Sequence, residues 1–227
     1  MSLSENLMSL VLSFIYIGVI VLSALFFYWK LKWKGESVRK FIHILTSCWI
    51  FILVYRMDNW LCMVLGPFLF VFVNGFFVYG GYGVLLGMGD RKRDNGLIYY
   101  PISLLFLVIL YIKGAISSEA ILTGILIMGW GDGLAALIGS RWGTHTYKIY
   151  GKYKKSIEGT SAMFVCAVLS VLAVLISRGG ISPIGYVIIP LITGVVSALT
   201  ELYCKNGVDT FVCPVSSMIT IIPLTFL

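Results

Sequence analysis

Charge is scarce in this chain. Only 12% of its 227 residues are Asp, Glu, Lys or Arg, against roughly 25% in an ordinary soluble domain, which excludes a globule with a solvated surface. The five cysteines, Cys48, Cys62, Cys166, Cys204 and Cys213, are odd in number, form no C-x-x-C pair and lie in or beside apolar runs. That pattern supports neither a disulfide framework nor a zinc site. A G-x-x-x-x-G-K-[ST] segment is missing, so there is no P-loop. No internal repeat and no linker divides the chain, and residues 1–227 are expected to form one membrane domain.

Apolar residues, by contrast, make up 59% of the chain. A spanning helix needs about 20 mostly apolar residues, because its backbone polar groups must be satisfied within the helix itself. Runs at residues 7–29, 38–55, 60–82, 97–112, 120–138, 161–176, 181–202 and 211–227 meet or approach that length. The expected fold class is all-α, a polytopic transmembrane bundle of about eight spans, with seven or nine as the neighbouring alternatives. The first run ends in Phe27-Tyr28-Trp29-Lys30 with no small-residue cleavage site behind it, the pattern of a retained span bordered at the membrane surface.

With eight spans, fourteen of the seventeen basic residues fall on one side: Lys30, Lys32, Lys34, Arg39, Lys40, Arg91, Lys92, Arg93, Arg141, Lys148, Lys152, Lys154, Lys155 and Lys205. Only Arg56, Lys113 and Arg178 fall on the other. The positive-inside rule makes the first side cytoplasmic and puts both termini outside. Topogenesis alone explains these cations, and no nucleic-acid partner is expected from the net charge of +7. Yet the same side collects His43, Asp90, Asp94, Asn95, Asp132, Glu158, Glu201 and Asp209. The positive-inside rule does not account for carboxylates.

Asp132 lies inside an apolar run and is flanked by Gly131 and Gly133. An intramembrane carboxylate is costly and marks an ion pair, for which Arg141 is one candidate, or a metal or substrate site. The glycines would let a ligand approach the backbone. Gly131, Ala135, Gly139 and Gly143 recur every four residues as a smooth stripe for helix packing. Beyond them, Lys148, Lys152, Lys154 and Lys155 surround Gly151 and suit either a polyphosphate or anionic lipid headgroups. Ser156 or Thr160 can cap the helix that follows, whose N-terminus favours an anion and the Glu158 carboxylate. Arg39 and His43 share a helix face; the histidine reads either as a structural residue or as a base or phosphate ligand. Glu201 either pairs with Lys205 at i,i+4 or, with Asp209, supplies carboxylates to a metal.

These motifs resemble those of the polyprenol, dolichol and phytol kinase family, distant relatives of the CDP-diacylglycerol synthases. The matching elements are R-K-x-x-H at Arg39 to His43, G-x-x-Y-Y-P at Gly96 to Pro101, G-D-G-x-A-A-x-x-G at Gly131 to Gly139 and K-S-I-E-G-T at Lys155 to Thr160. A weaker acidic match covers Glu201 and Asp209 to Pro214, with Thr210 where related proteins commonly carry asparagine. The resemblance implies phosphoryl transfer from CTP or another nucleoside triphosphate to a lipid alcohol of the phytol, geranylgeraniol or polyprenol class, with Mg²⁺ or another divalent cation. It assigns Asp132, His43 and Glu201 to catalysis, and Asp132, Glu201 and Asp209 to the metal. Lys148, Lys152, Lys155, Ser156, Glu158, Gly159 and Arg141 would hold the nucleotide, and Arg39, Lys40, Asn95 and Tyr100 would line the substrate side. The expected location is the plasma membrane of a prokaryote or the endoplasmic reticulum of a eukaryote. A cytidylyltransferase would use the same triphosphate loop with attack at the α-phosphorus. A small transporter would use the acids as ion sites.

Overall fold

The computed structural model describes residues 1–86, 94–150, 153–204 and 207–221. Its helices are α1 (Leu3–Trp29), α2 (Gly35–Ser47), α3 (Trp49–Arg56), α4 (Trp60–Tyr79), α5 (Gly96–Ile112), α6 (Ser118–Leu126), α7 (Asp132–Trp142), α8 (Ile157–Arg178), α9 (Gly185–Tyr203) and α10 (Asp209–Ile221). Two pairs run on as single long helices. α2 and α3 meet at Cys48, and α6 passes into α7 through a π turn at Ile127–Gly131. Six of the resulting helices are long and apolar enough to cross a membrane, while Gly96–Ile112 and Asp209–Ile221 are shorter apolar helices. The protein is a multi-pass helical membrane protein.

The burial pattern is that of a chain solvated by lipid. On α1, Leu7, Val11, Phe14, Ile15 and Leu22 point outward, while Asn6, Ser9 and Ser13 are buried. Small and polar side chains let helices approach closely where hydrocarbon supplies no hydrophobic drive between them. α9 and α10 show this most clearly, joined by Thr193 to Thr220 at 2.9 Å, Ser197 to Ser217 at 2.8 Å and Thr200 to Ser216 at 3.1 Å. The descending partner numbers make the pair antiparallel, so Glu201, near the end of α9, lies toward the end of the pair at which α10 begins with Asp209. At the other end of α1, the Asn6 amide donates to Asp58 Oδ1 at 2.7 Å, and its carbonyl accepts from the backbone N–H groups of Asp58 and Asn59 at 3.0 Å each.

One segment read from the sequence as a plain loop is ordered differently. β1 (Thr146–Tyr150) and β2 (Tyr153–Ser156) form an antiparallel hairpin with a register irregularity between Lys148 and Tyr150. Thr146-Tyr147-Lys148-Ile149-Tyr150 combines β-branched and aromatic residues with alternating polarity, a strand composition. The five cysteines are all free.

Candidate active site

The glycines around Asp132 determine how close α2 can come. A Cβ at Gly129 would collide with Ser47, and one at Gly133 with Ile44, both on α2. Gly131 is covered by Met163 of α8. The expectation that these glycines open the backbone to a ligand is therefore corrected, since neighbouring helices fill the space. The close approach delivers Lys40 and His43, three residues apart on one face of α2.

Lys40 Nζ donates to Asp132 Oδ2 at 2.5 Å, and both side chains are buried. Arg141 does not take this place. It lies nine residues further on, about 13 Å along a helix, and its guanidinium sits over the Trp142 ring at 5.2 Å. His43 Nε2 is 3.1 Å from the Met128 carbonyl and 3.4 Å from Asp132 Oδ2. A carbonyl oxygen only accepts, so Nε2 carries a hydrogen and Nδ1 is the acceptor of the neutral ring. The Met128 carbonyl belongs to the π turn, where the regular i→i−4 ladder is interrupted. Tyr100 packs edge-on against the His43 ring with centroids 4.7 Å apart.

A second pair lies alongside. Lys155, at the end of β2, donates to the Glu201 backbone carbonyl at 2.9 Å and forms an ion pair with Glu201 Oε1. Burial pulls the Lys155 ammonium down, but the Glu201 carboxylate more than offsets this and holds it above the ordinary lysine value. Asp209 is within electrostatic reach of Asp132, Lys40, Lys155 and Glu201, so the two pairs form one cluster. Arg39 is bound to Glu36 at 2.8 Å, and its charge also bears on Asp132 and Asp209. A Cβ on Gly96 would come within 3.5 Å of the Gly207 Cα and 3.8 Å of the Arg39 guanidinium, so the start of α5 and the approach to α10 close over this group. The Oδ1 of Asn95, just before α5, is buried without a hydrogen-bond partner among the described residues.

The hairpin is latched by one carboxylate oxygen. Glu158 Oε1 accepts from Thr144 N at 3.1 Å, Thr144 Oγ1 at 2.7 Å and His145 N at 3.1 Å, and faces His145 Nδ1 at 2.8 Å. Thr144 and His145 have no standing in the sequence motifs; only the hairpin brings them to Glu158. Ser156 Oγ accepts from Gly159 N at 3.1 Å and caps α8, while the Thr160 hydroxyl meets Tyr147 OH at 2.6 Å. Gly159 marks the crossing of α7 and α8, where a Cβ would lie 2.9 Å from the Ala135 carbonyl oxygen. Of the residues expected at the nucleotide, Lys155 joins the cluster, Ser156, Glu158 and Gly159 build its frame, and Lys148 and Arg141 are exposed. Lys152 lies outside the described residues.

Among the described residues no three His, Cys, Asp or Glu side chains form a ready metal cage. The donors present still fit Mg²⁺, which takes one or two carboxylates and completes its shell with water and phosphate oxygens. Glu201 Oε2 is a buried acceptor without a partner among the described residues. On the other side of His43 lies a cavity of about 230 Å³ between α1, α2, α4 and α5, apolar except for His43, Thr46, Asn74 and Tyr100.

The chain is 30% identical over 210 residues to the phytol kinase of Synechocystis sp., covering 89% of this chain and 85% of that one. It belongs to the polyprenol and phytol kinase family. This kinase also matches the CTP-dependent diacylglycerol kinase 1 of Schizosaccharomyces pombe, 29% identical over 86 residues, 38% of this chain and 36% of that one. A shorter match is to the dolichol kinase of the same organism, 40% identical over 58 residues, 26% of this chain and 11% of that one. No family model and no solved structure matches it. The kinase is a phosphotransferase with an alcohol acceptor, which sets aside the cytidylyltransferase and transporter readings.

Proposed function

We propose that the protein transfers the γ-phosphoryl group of CTP to the hydroxyl of an isoprenoid lipid alcohol such as phytol at the cytoplasmic membrane face. The observation that carries this is the buried cluster of Lys40, Asp132 and His43 beside Lys155 and Glu201. Phosphoryl transfer asks a protein mainly for alignment and charge neutralisation, and this cluster offers cations for phosphate oxygens together with a carboxylate oxygen that has no partner among the described residues. CTP dependence is in the name of the matched diacylglycerol kinase, and phytol in that of the matched phytol kinase.

In this reading Lys155 and Lys40 would turn from their carboxylate partners to the triphosphate, and Glu201 and Asp132, with Asp209, would hold Mg²⁺. Bound there, Mg²⁺ would neutralise charge on the β- and γ-phosphate oxygens. His43 Nδ1 accepts the hydroxyl proton of the alcohol as its oxygen bonds to the γ-phosphorus. The bond from that phosphorus to the β-bridging oxygen breaks, and CDP leaves. Asp132, 3.4 Å from Nε2, orients the ring and stabilises the imidazolium. Glu158 holds the hairpin that presents Lys155, and Arg39, Asn95 and Tyr100 border the alcohol.

We further propose eight spans, with the basic loops and the cluster on the cytoplasmic side, in the plasma membrane of a prokaryote or the endoplasmic reticulum of a eukaryote. The contact of Gly96 with Gly207 and Arg39 supports placing those loops on one face, and the Asn6–Asp58 contact supports placing the start of α1 with the α3–α4 loop on the other. Lys34→Cys and Lys113→Cys in a cysteine-free chain should label from opposite faces with an impermeant thiol reagent.

The activity is tested with purified protein in liposomes, Mg²⁺ and CTP labelled at the α or γ position, against phytol, geranylgeraniol, a polyprenol, diacylglycerol and phosphatidate. γ-Label in an isoprenoid alcohol is expected. α-Label in lipid would establish nucleotidyl transfer instead, and ATP or UTP outperforming CTP would reassign the donor.

A further inference from the structure

α5 carries Pro101 within the helix. Proline has no N–H, so the carbonyl four residues earlier, at Leu97, loses its intrahelical donor. The Asn74 amide of α4 answers it, donating to the Leu97 oxygen at 2.7 Å. An asparagine inside an apolar span is costly unless its polar groups are used. A side-chain amide has two hydrogens, and the bond to Leu97 is the one side-chain hydrogen bond that Asn74 makes among the described residues. Asn74, Leu97 and Pro101 all line the cavity beside His43. Val21 of α1 and Val73 of α4 line it too, yet they are 39% and 56% exposed, so the cavity reaches the lipid-facing surface between these two helices. Its volume, about 230 Å³, falls below the roughly 300–1,000 Å³ of pockets that enclose a drug-sized ligand.

We infer that this cavity takes only the hydroxyl-bearing end of the alcohol, admitted from the bilayer between Val21 and Val73, and that Asn74 binds the hydroxyl together with His43. The inference rests on the functional reading above. Three features commit the site to that occupant. His43 supplies the acceptor, because its Nε2 is turned to Met128 and Asp132, which leaves Nδ1 for the hydroxyl proton. The second Asn74 N–H supplies a donor to the same oxygen, since a hydroxyl accepts through its lone pairs while it donates. The side opening lets the rest of the chain stay in hydrocarbon, so the small volume sets no limit on its length. Asn74 thus orients the attacking oxygen, and the cavity reads the end of the molecule, not its size.

The test compares wild type, Asn74→Leu and Val73→Trp in liposomes with CTP and Mg²⁺, using farnesol, geranylgeraniol, phytol and a long polyprenol at equal surface concentration. Val73→Trp adds volume at the lipid-facing rim, where it is tolerated, and should lower kcat/KM for every alcohol by the same factor, because each enters by the same end. Asn74→Leu removes the amide at similar volume and should lower kcat/KM for every alcohol about tenfold. In both variants the KM for CTP should stay at its wild-type value. A binding measurement without nucleotide separates contact with the hydroxyl from support of Leu97. Geranylgeraniol and the same chain lacking its hydroxyl compete against a photoreactive farnesol, and the preference for the alcohol should fall about tenfold in Asn74→Leu. An unchanged preference would overturn the role of Asn74. Wild-type kcat/KM in Val73→Trp, or a loss that grows with chain length, would overturn the side entrance. A wild type that phosphorylates none of these alcohols would overturn the functional reading, and the inference with it.

Discussion

Lys40 reaches Asp132 across 92 residues of chain, with Nζ 2.5 Å from Oδ2 and both side chains buried. Breaking a buried pair from one side leaves an uncompensated charge, at a cost of about 3–5 kcal/mol. Lys40→Met should therefore lower the midpoint of thermal unfolding in detergent and cut kcat by ~100-fold or more. Asp132→Asn keeps the shape without the charge, and should abolish turnover in a protein that still inserts in the membrane and runs as a single species on size exclusion. Wild-type activity in Asp132→Asn would remove Asp132 from the reaction.

In the proposed reaction Glu158 would act on the nucleotide through the hairpin it holds at Thr144 and His145. Glu158→Ala removes the carboxylate oxygen that accepts from Thr144 and His145, and should raise the KM for CTP about tenfold or more while leaving the KM for the alcohol unchanged. Glu158→Gln keeps a carbonyl acceptor and should recover most of the loss. Limited proteolysis offers a second readout, with faster cleavage between Thr144 and Ser156 in the alanine variant alone.

The Lys155–Glu201 pair gives a pH signature. Because the Lys155 value is raised in the folded protein above the ordinary 10.5, its ion pair is fully present below that value and is lost as pH rises through the higher folded one. The pH profile of kcat/KM for CTP should show no alkaline fall from this lysine below 10.5. Lys155→Arg should keep measurable activity over the same range and Lys155→Met should not. A fall near neutral pH that disappears in Lys155→Arg would contradict the assignment.

The Asn6 clasp is remote from the chemistry. Asn6→Ala removes its bonds to Asp58 and Asn59 and should destabilise the protein by about 1–3 kcal/mol, seen as a lower unfolding midpoint. At 25 °C its kcat and both KM values should match the wild type.

The long apolar helices were legible in the sequence because lipid imposes a length and a composition on each one, and the loop charges singled out the side on which the acids collect. That logic also gathered Asp132, Lys155, Glu201 and Asp209. It could not pair them. The choice of Lys40 over Arg141 depends on Gly129 and Gly133 admitting α2, a contact between distant segments. Glu201 read locally either as a partner of Lys205, which lies outside the described residues, or as a carboxylate for a metal, and the structure pairs it with Lys155. Thr144 and His145 went unnoticed because a hairpin had to form before they faced Glu158. Asn74 stood unnoticed inside an apolar run, and only the carbonyl that Pro101 leaves open on α5 gives it a partner.

The π turn at Ile127–Gly131 has a genetic consequence. His43 is held there by a backbone oxygen, which every amino acid carries, so replacing the Met128 side chain perturbs packing while the acceptor survives. A one-residue deletion within 127–131 is a different lesion: it replaces the π turn by a regular i→i−4 ladder that takes up the carbonyl oxygen now offered to His43, while Asp132 keeps roughly its facing because a π turn holds one residue more than an α turn. Tolerance to substitution and intolerance to length should coincide at this one place in the chain.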